Sequence, residues 1–198
     1  MAAGSLGVSV CHAGITGIEY EIPSTNLGGA PTLSYNQDHT AATMNFDVNQ
    51  SGAGLVNGTI HADSESDPSL LIGGAVNNDT ATAWTGYSIL IYMDRPFTLS
   101  NVGVGPIPAD WNYATVDPAL NPTPVYYGAG EYVAEIDYAA GTPIAPEGEF
   151  DFQYRLTFEG STQYSFSAQM NPVPEPGSLA LGALGILGLL GVSRHRRK

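Results

Sequence analysis

The chain has 198 residues, enough for one domain with a sizeable core, and carries a formal net charge of −13 with a single cysteine, Cys11. Of its 19 acidic residues, 18 lie between Ile15 and Asn171 against only Arg95 and Arg155, a surface that repels phosphate backbones and excludes nucleic-acid binding. One cysteine permits no intrachain disulfide and no cysteine-based metal or redox motif, so the fold must be held by packing alone.

Residues 1–13, MAAGSLGVSVCHA, read as the remnant of a signal peptide. Leu6 to Val10 are mildly apolar and Ala13 is a small residue suited to cleavage, but a basic n-region and most of the apolar core are missing. The expectation is a longer export signal that begins upstream. The alternative is a first strand of the domain.

Residues 14–171 read as one β-rich passenger domain. Ile15, Ile18, Tyr20 and Ile22 start an alternating run with Gly17 as a bulge. Met44, Phe46 and Val48 alternate with Thr43, Asn45, Asp47 and Asn49. Leu70 to Val76 and Tyr87 to Met93 are more continuously apolar, as central strands are. Phe150, Phe152, Tyr154, Leu156 and Phe158 alternate with Asp151, Gln153, Arg155, Thr157 and Glu159, and a further run covers Tyr164 to Gln169. Period-two patterns of this length mark half-buried strands, and Gly160-Ser161 between the last two runs predicts a hairpin. The fold expected is all-β, an antiparallel β-sandwich (jelly-roll-like or Ig-like), followed by one C-terminal hydrophobic helix. Gly105 to Tyr127 holds five prolines, so it is expected as a long excursion across the sandwich rather than as strands.

Candidate sites in this domain are few. His39 and His61 are the only histidines outside the two ends, and no nucleophile-elbow, zinc-protease or phosphate-loop pattern is present. No catalytic residue is assigned, although spatial pairing of carboxylates for glycoside cleavage is not legible in sequence. His61, Asp63, Glu65 and Asp67 alternate on an extended chain and would offer oxygens to calcium. Pro68 stands where an EF-hand needs its turn glycine, so a solvated acidic turn is favoured and no metal or cofactor is expected. Trp111, Tyr113 and Tyr126 are the candidates for ligand binding, with pinning of the proline-rich stretch onto the core as the favoured role. Asn57-Gly58-Thr59 and Asn78-Asp79-Thr80 match the glycosylation sequon, as chance allows in so Asn- and Thr-rich a chain.

Residues 172–198 carry the clearest signal. Val173, Pro174, Glu175, Pro176, Gly177 and Ser178 come first, and the prolines keep this peptide extended. An apolar span follows, built on Leu179, Leu181, Leu184, Ile186, Leu187, Leu189, Leu190 and Val192. Arg194, Arg196, Arg197 and Lys198 then form a basic stop that stays on the cytoplasmic side of a bilayer. Ser178 to Val192 is 15 residues, about 22 Å as a helix against a hydrocarbon core of about 30 Å. So short and glycine-rich a span suits a temporary hold better than a permanent anchor.

This arrangement resembles the PEP-CTERM sorting signal of Gram-negative bacteria. The resemblance implies that an exosortase, an integral membrane protease, recognises the tail and cuts near the Pro-Glu-Pro triplet. The passenger would then pass from an inner-membrane-anchored intermediate to the cell surface or the exopolysaccharide matrix. The segment Val76 to Tyr87, with Thr82-Ala83-Trp84-Thr85-Gly86-Tyr87, also resembles one found in uncharacterised PEP-CTERM passengers, which implies shared architecture and no activity. The function expected is that of a non-enzymatic surface or matrix protein. The alternatives are a carbohydrate-binding or calcium-dependent binding module and, behind these, a secreted hydrolase.

Overall fold

Alternating side chains let a strand bury one face, and the long interior strands of this chain do so. The computed structural model describes residues 14–63, 67–103 and 110–175. In chain order the strands are β1 (Ile15–Glu21), β2 (Leu27–Gly28), β3 (Thr32–Tyr35), β4 (Ala41–Gln50), β5 (Gly54–Ala62) and β6 (Ser69–Asn78). Then come β7 (Trp84–Met93), β8 (Phe97–Ser100), β9 (Asn112–Leu120), β10 (Tyr132–Ile144), β11 (Glu149–Phe158) and β12 (Gln163–Pro174). They form two six-stranded sheets. The first runs β1-β5-β12-β7-β10-β9; the second runs β2-β4-β6-β11-β8, with β3 paired to β4. The all-β sandwich expected from periodicity is present, and β6 and β7 are interior strands of their sheets. Gly17 lies at a register shift in β1, as its bulge role predicts. The C-terminal helix expected from the sequence falls on residues outside those described.

Three features depart from the sequence reading. The pairing is not wholly antiparallel, because β4 and β6 run parallel from Ala41↔Ser69 to Gln50↔Asn78. No hairpin joins the last two strands: β11 pairs with β6 and β8, while β12 pairs with β5 and β7 in the other sheet. Alternation reports which side chains face inward, not which strand lies alongside, and here two strongly apolar faces meet across the core. Phe158 and Tyr164 sit with ring centroids 4.8 Å apart on either side of the connecting arch. Finally, the proline-rich stretch contributes a strand. β9 is an edge strand paired only with β10, and its register jumps from Val116↔Glu135 to Ala119↔Val133. Pro118 falls in that bulge, one of the few places a sheet tolerates a residue with no N–H.

The core is aromatic and Phe150 is its hub. From the second sheet, its ring lies 4.6 Å from Tyr87, 5.1 Å from Tyr138 and 5.6 Å from Trp111. Two buried amides close the sandwich at one end. Gln50, at the end of β4, donates from Nε2 to Met170 O (2.8 Å) and accepts from the Tyr87 hydroxyl. Asn78, its register partner at the end of β6, donates from Nδ2 to Ile144 O at 3.0 Å and Thr82 O at 2.9 Å. Asn78 is therefore an internal strut, not an accessible sequon.

A second buried polar group fixes the loop over the first sheet. Glu131 is fully buried, and its carboxylate accepts the backbone N–H groups of Val125 (2.9 Å), Tyr126 (2.7 Å) and Tyr127 (3.0 Å) together with Asn121 Nδ2 (2.7 Å). Burial alone would push this carboxyl up, but the four donors outweigh it and hold it below the usual carboxylate range. In β6, Gly74 has φ +131°, and a Cβ there would lie 2.1 Å from the Phe46 carbonyl oxygen of the adjacent strand.

Two outcomes follow. Gly74→Ala combines a disfavoured backbone conformation with a clash against main chain, and is expected to destabilise the domain by about 2–4 kcal/mol in denaturant unfolding. Glu131→Gln leaves part of the amide cluster without an acceptor and is expected to cost about 2 kcal/mol. Because the folded-state pKa of Glu131 is depressed, its stabilisation is complete above the ordinary value of 4.5 and is lost as pH falls through the lower folded value. Amide exchange at Val125, Tyr126 and Tyr127 should therefore accelerate in acid relative to the β7 amides, and the Gln variant should show the faster exchange already at neutral pH.

Candidate functional site

The sorting segment begins inside the domain. β12 is paired on both sides as far as Met170, opposite Gly54 of β5 and Ile89 of β7. Beyond that it stays paired to β7 alone: Pro172 lies opposite Tyr87, Val173 opposite Gly86 and Pro174 opposite Trp84. Thr85 Oγ1 donates to Val173 O at 3.3 Å, and the Glu175 amide donates to Ala83 O at 2.8 Å. A boundary drawn between Asn171 and Pro172 thus falls within a strand, and the fold holds the first two residues of the triplet. Pro176, Gly177, Ser178, the apolar span from Leu179 to Val192 and the basic stop to Lys198 lie outside the described residues, as does the 1–13 segment. Among the described residues no helix is long and apolar enough to cross a membrane.

The aromatic ligand candidates are dispersed. Trp111 is buried at 4% exposure, donates from Nε1 to Thr142 O (2.8 Å) and packs on Phe150, so it anchors the chain to the core. Tyr113 stands on the edge strand β9 with 47% of its surface exposed. Tyr126 lies in the Glu131-held loop, which folds over the outer face of the first sheet. Its ring meets Tyr92 edge-on at 5.0 Å, and its hydroxyl accepts from Gln169 Nε2 at 2.8 Å. The neighbouring Tyr127 hydroxyl is hydrogen-bonded to Ser167 Oγ (2.8 Å), which donates to Asn57 Oδ1 (2.9 Å), and Asn57 Nδ2 donates to Glu21. Burial is the main cause of the raised Tyr127 hydroxyl pKa. A hollow of about 430 Å³ lies between this loop and β1, lined by Tyr20, Tyr126, Tyr127, Glu19 and Glu21. Its polar groups largely bond one another, so this face acts mainly as a latch for the loop.

The acidic stretch is not gathered into a cage. Asp63 accepts the Gly14 amide at 2.7 Å and returns a backbone bond to Gly14 O, which ties the start of the domain to the end of β5. Asp67 is exposed and Glu65 lies outside the described residues. His61 Nε2 lies 3.8 Å from a Glu19 carboxylate oxygen, a partly exposed contact. Among the described residues no three His, Cys, Asp or Glu side chains converge to hold a metal.

A second depression was not nominated by the sequence. It is a trough of about 340 Å³ on the outer face of the second sheet, floored by Gly73, Gly74 and Ala75 of β6. Asn45 and Asp47 of β4 form one wall and Asp151 and Gln153 of β11 the other. The signal was present as two glycines inside an otherwise apolar central strand, flanked by strands whose outward residues are amides and acids.

No curated protein matches the chain in sequence. Among solved structures, the family 3b carbohydrate-binding module from the biomass sensoring system of Clostridium clariflavum aligns at 12% identity with a TM-score of 0.25, over 64% of this chain and 89% of that one. At that TM-score the likeness carries no argument. Residues 172–198 match the family model of the PEP-CTERM protein-sorting motif, and that motif implies export, a membrane-anchored intermediate and handling by an exosortase. Residues 172–198 of the chain are therefore a PEP-CTERM protein-sorting motif, carried behind a β-sandwich domain.

Proposed function

We propose that this chain is a non-enzymatic cell-surface or extracellular-matrix protein, released from its tail by an exosortase. The observation that carries this reading is the junction between fold and motif. Among the described residues, β12 ends at Pro174 and the Glu175 amide still bonds to Ala83 O, while the sorting motif spans residues 172–198. A cut anywhere from Glu175 onward would remove the span and the basic stop without taking a rung from β12. The released domain keeps its ladder, its aromatic core and both amide struts. Its 18 acidic residues against two arginines favour a hydrated, soluble surface and disfavour polyanionic partners.

Intact-mass analysis of material from the cell surface and matrix is expected to show a C-terminus between Pro174 and Ser178. Full-length chain retaining Lys198 in that material would contradict the release. The same spectrum would locate the mature N-terminus.

A further inference from the structure

The two outer faces of the sandwich differ in a way that points to a ligand. On the first sheet, outward polar groups are bonded to one another through Glu21, Asn57, Ser167 and Tyr127. On the second, the side chains of Asn45, Asp47, Asp151 and Gln153 make no hydrogen bond to another described residue.

The register arranges these four in rows across the sheet. Asn45, Gly73 and Gln153 form one row, with an amide on each side of a bare glycine. Asp47, Ala75 and Asp151 form the next, with a carboxylate on each side of a methyl group. Side chains stand roughly perpendicular to a sheet, so long walls over a low floor make a channel along β6. The floor is low for a backbone reason. At Gly73 a Cβ would lie 2.7 Å from Phe152 O, and at Gly74 it would meet Phe46 main chain. A glycine inside a central strand weakens it, and it commonly marks a place where another chain or ligand comes close.

We propose that this trough binds a single uncharged glycan chain lying along β6. Facing amides supply both donors and acceptors, which match hydroxyl groups that are themselves both. The carboxylates accept from neighbouring hydroxyls. The lining holds two acids and no cation, which disfavours a polyanionic polysaccharide, and a purely cationic chain would have no use for the amide row. Asp47 and Asp151 are separated by one intervening strand, about 9.5 Å between backbones at the usual inter-strand distance, so the test below reads cleavage as well as binding. The inference goes beyond the export reading and stands whether or not the tail is removed.

The test is affinity electrophoresis of the full-length chain, in a detergent without a sugar headgroup, through gels containing hydroxyethylcellulose, galactomannan, dextran or alginate. Retardation by at least one of the three uncharged glycans and none by alginate is expected. Ala75→Leu fills the floor from the outer face and should weaken that retardation at least tenfold without lowering the melting temperature. Asn45→Ala combined with Gln153→Ala should do the same, while Thr59→Ala on the opposite sheet should bind as the parent does. The proposal is overturned if none of the three uncharged glycans retards the chain, if alginate retards it equally, or if folded Ala75→Leu and the double variant both bind like the parent. Release of reducing ends from the retarding glycan would likewise replace binding by hydrolysis.

Discussion

The structure depends on two sheets being locked face to face without a covalent link, and the lock is a buried row of two amides. Gln50 and Asn78 are register partners at the ends of the parallel pair β4 and β6, and both are fully buried. Each reaches across the core: Gln50 to Tyr87 and Met170, Asn78 to the end of β10. Left without partners, such groups would cost several kcal/mol, so each arrangement of the sheets that fails to satisfy them is penalised. A one-residue slip of either strand would turn its amide outward and expose its apolar set. The aromatic cluster around Phe150 supplies most of the driving force; the amides select the one way in which it is packed.

That lock also explains the character of the last strand. Where Gln50 grips Met170, β12 lies between two neighbours. Four residues later it has one, with Pro174 opposite Trp84 of β7. The grip declines along the very residues at which the sorting motif starts. The last strand of the domain and the first residues of the sorting motif therefore overlap at 172–174.

Much of the fold was legible because burial here is strictly periodic. Met44-Phe46-Val48 and the five inward residues of β11 announced their faces, and the continuous apolar runs of β6 and β7 marked interior strands. Pairing was less legible. The arch at Gly160-Ser161 carries the same turn residues as a hairpin, and only the demand that both apolar faces meet sends β12 to the opposite sheet. Pro118 disguised β9, because a proline tolerated at an edge bulge looks in sequence like one that forbids a strand. Gln50 and Asn78 were invisible as struts, since a polar residue at a strand end ordinarily faces water. For the sites, the sorting motif was readable as a linear peptide. The trough was not, because it exists only when β4, β6 and β11 are set side by side.

A folded domain separable from the segment that routes it keeps its stability when that segment is cut away. The most direct measurement compares thermal unfolding of the full chain with chains ending at Glu175 and at Asn171. Ending at Glu175 is predicted to leave the melting temperature unchanged. Ending at Asn171 removes the last pairings to β7 and is predicted to lower it by several degrees, since each kcal/mol is worth about 2–4 °C in a domain of this size. A chain ending at Glu175 that melted far below the full-length protein would contradict the account, because the tail would then be part of the fold.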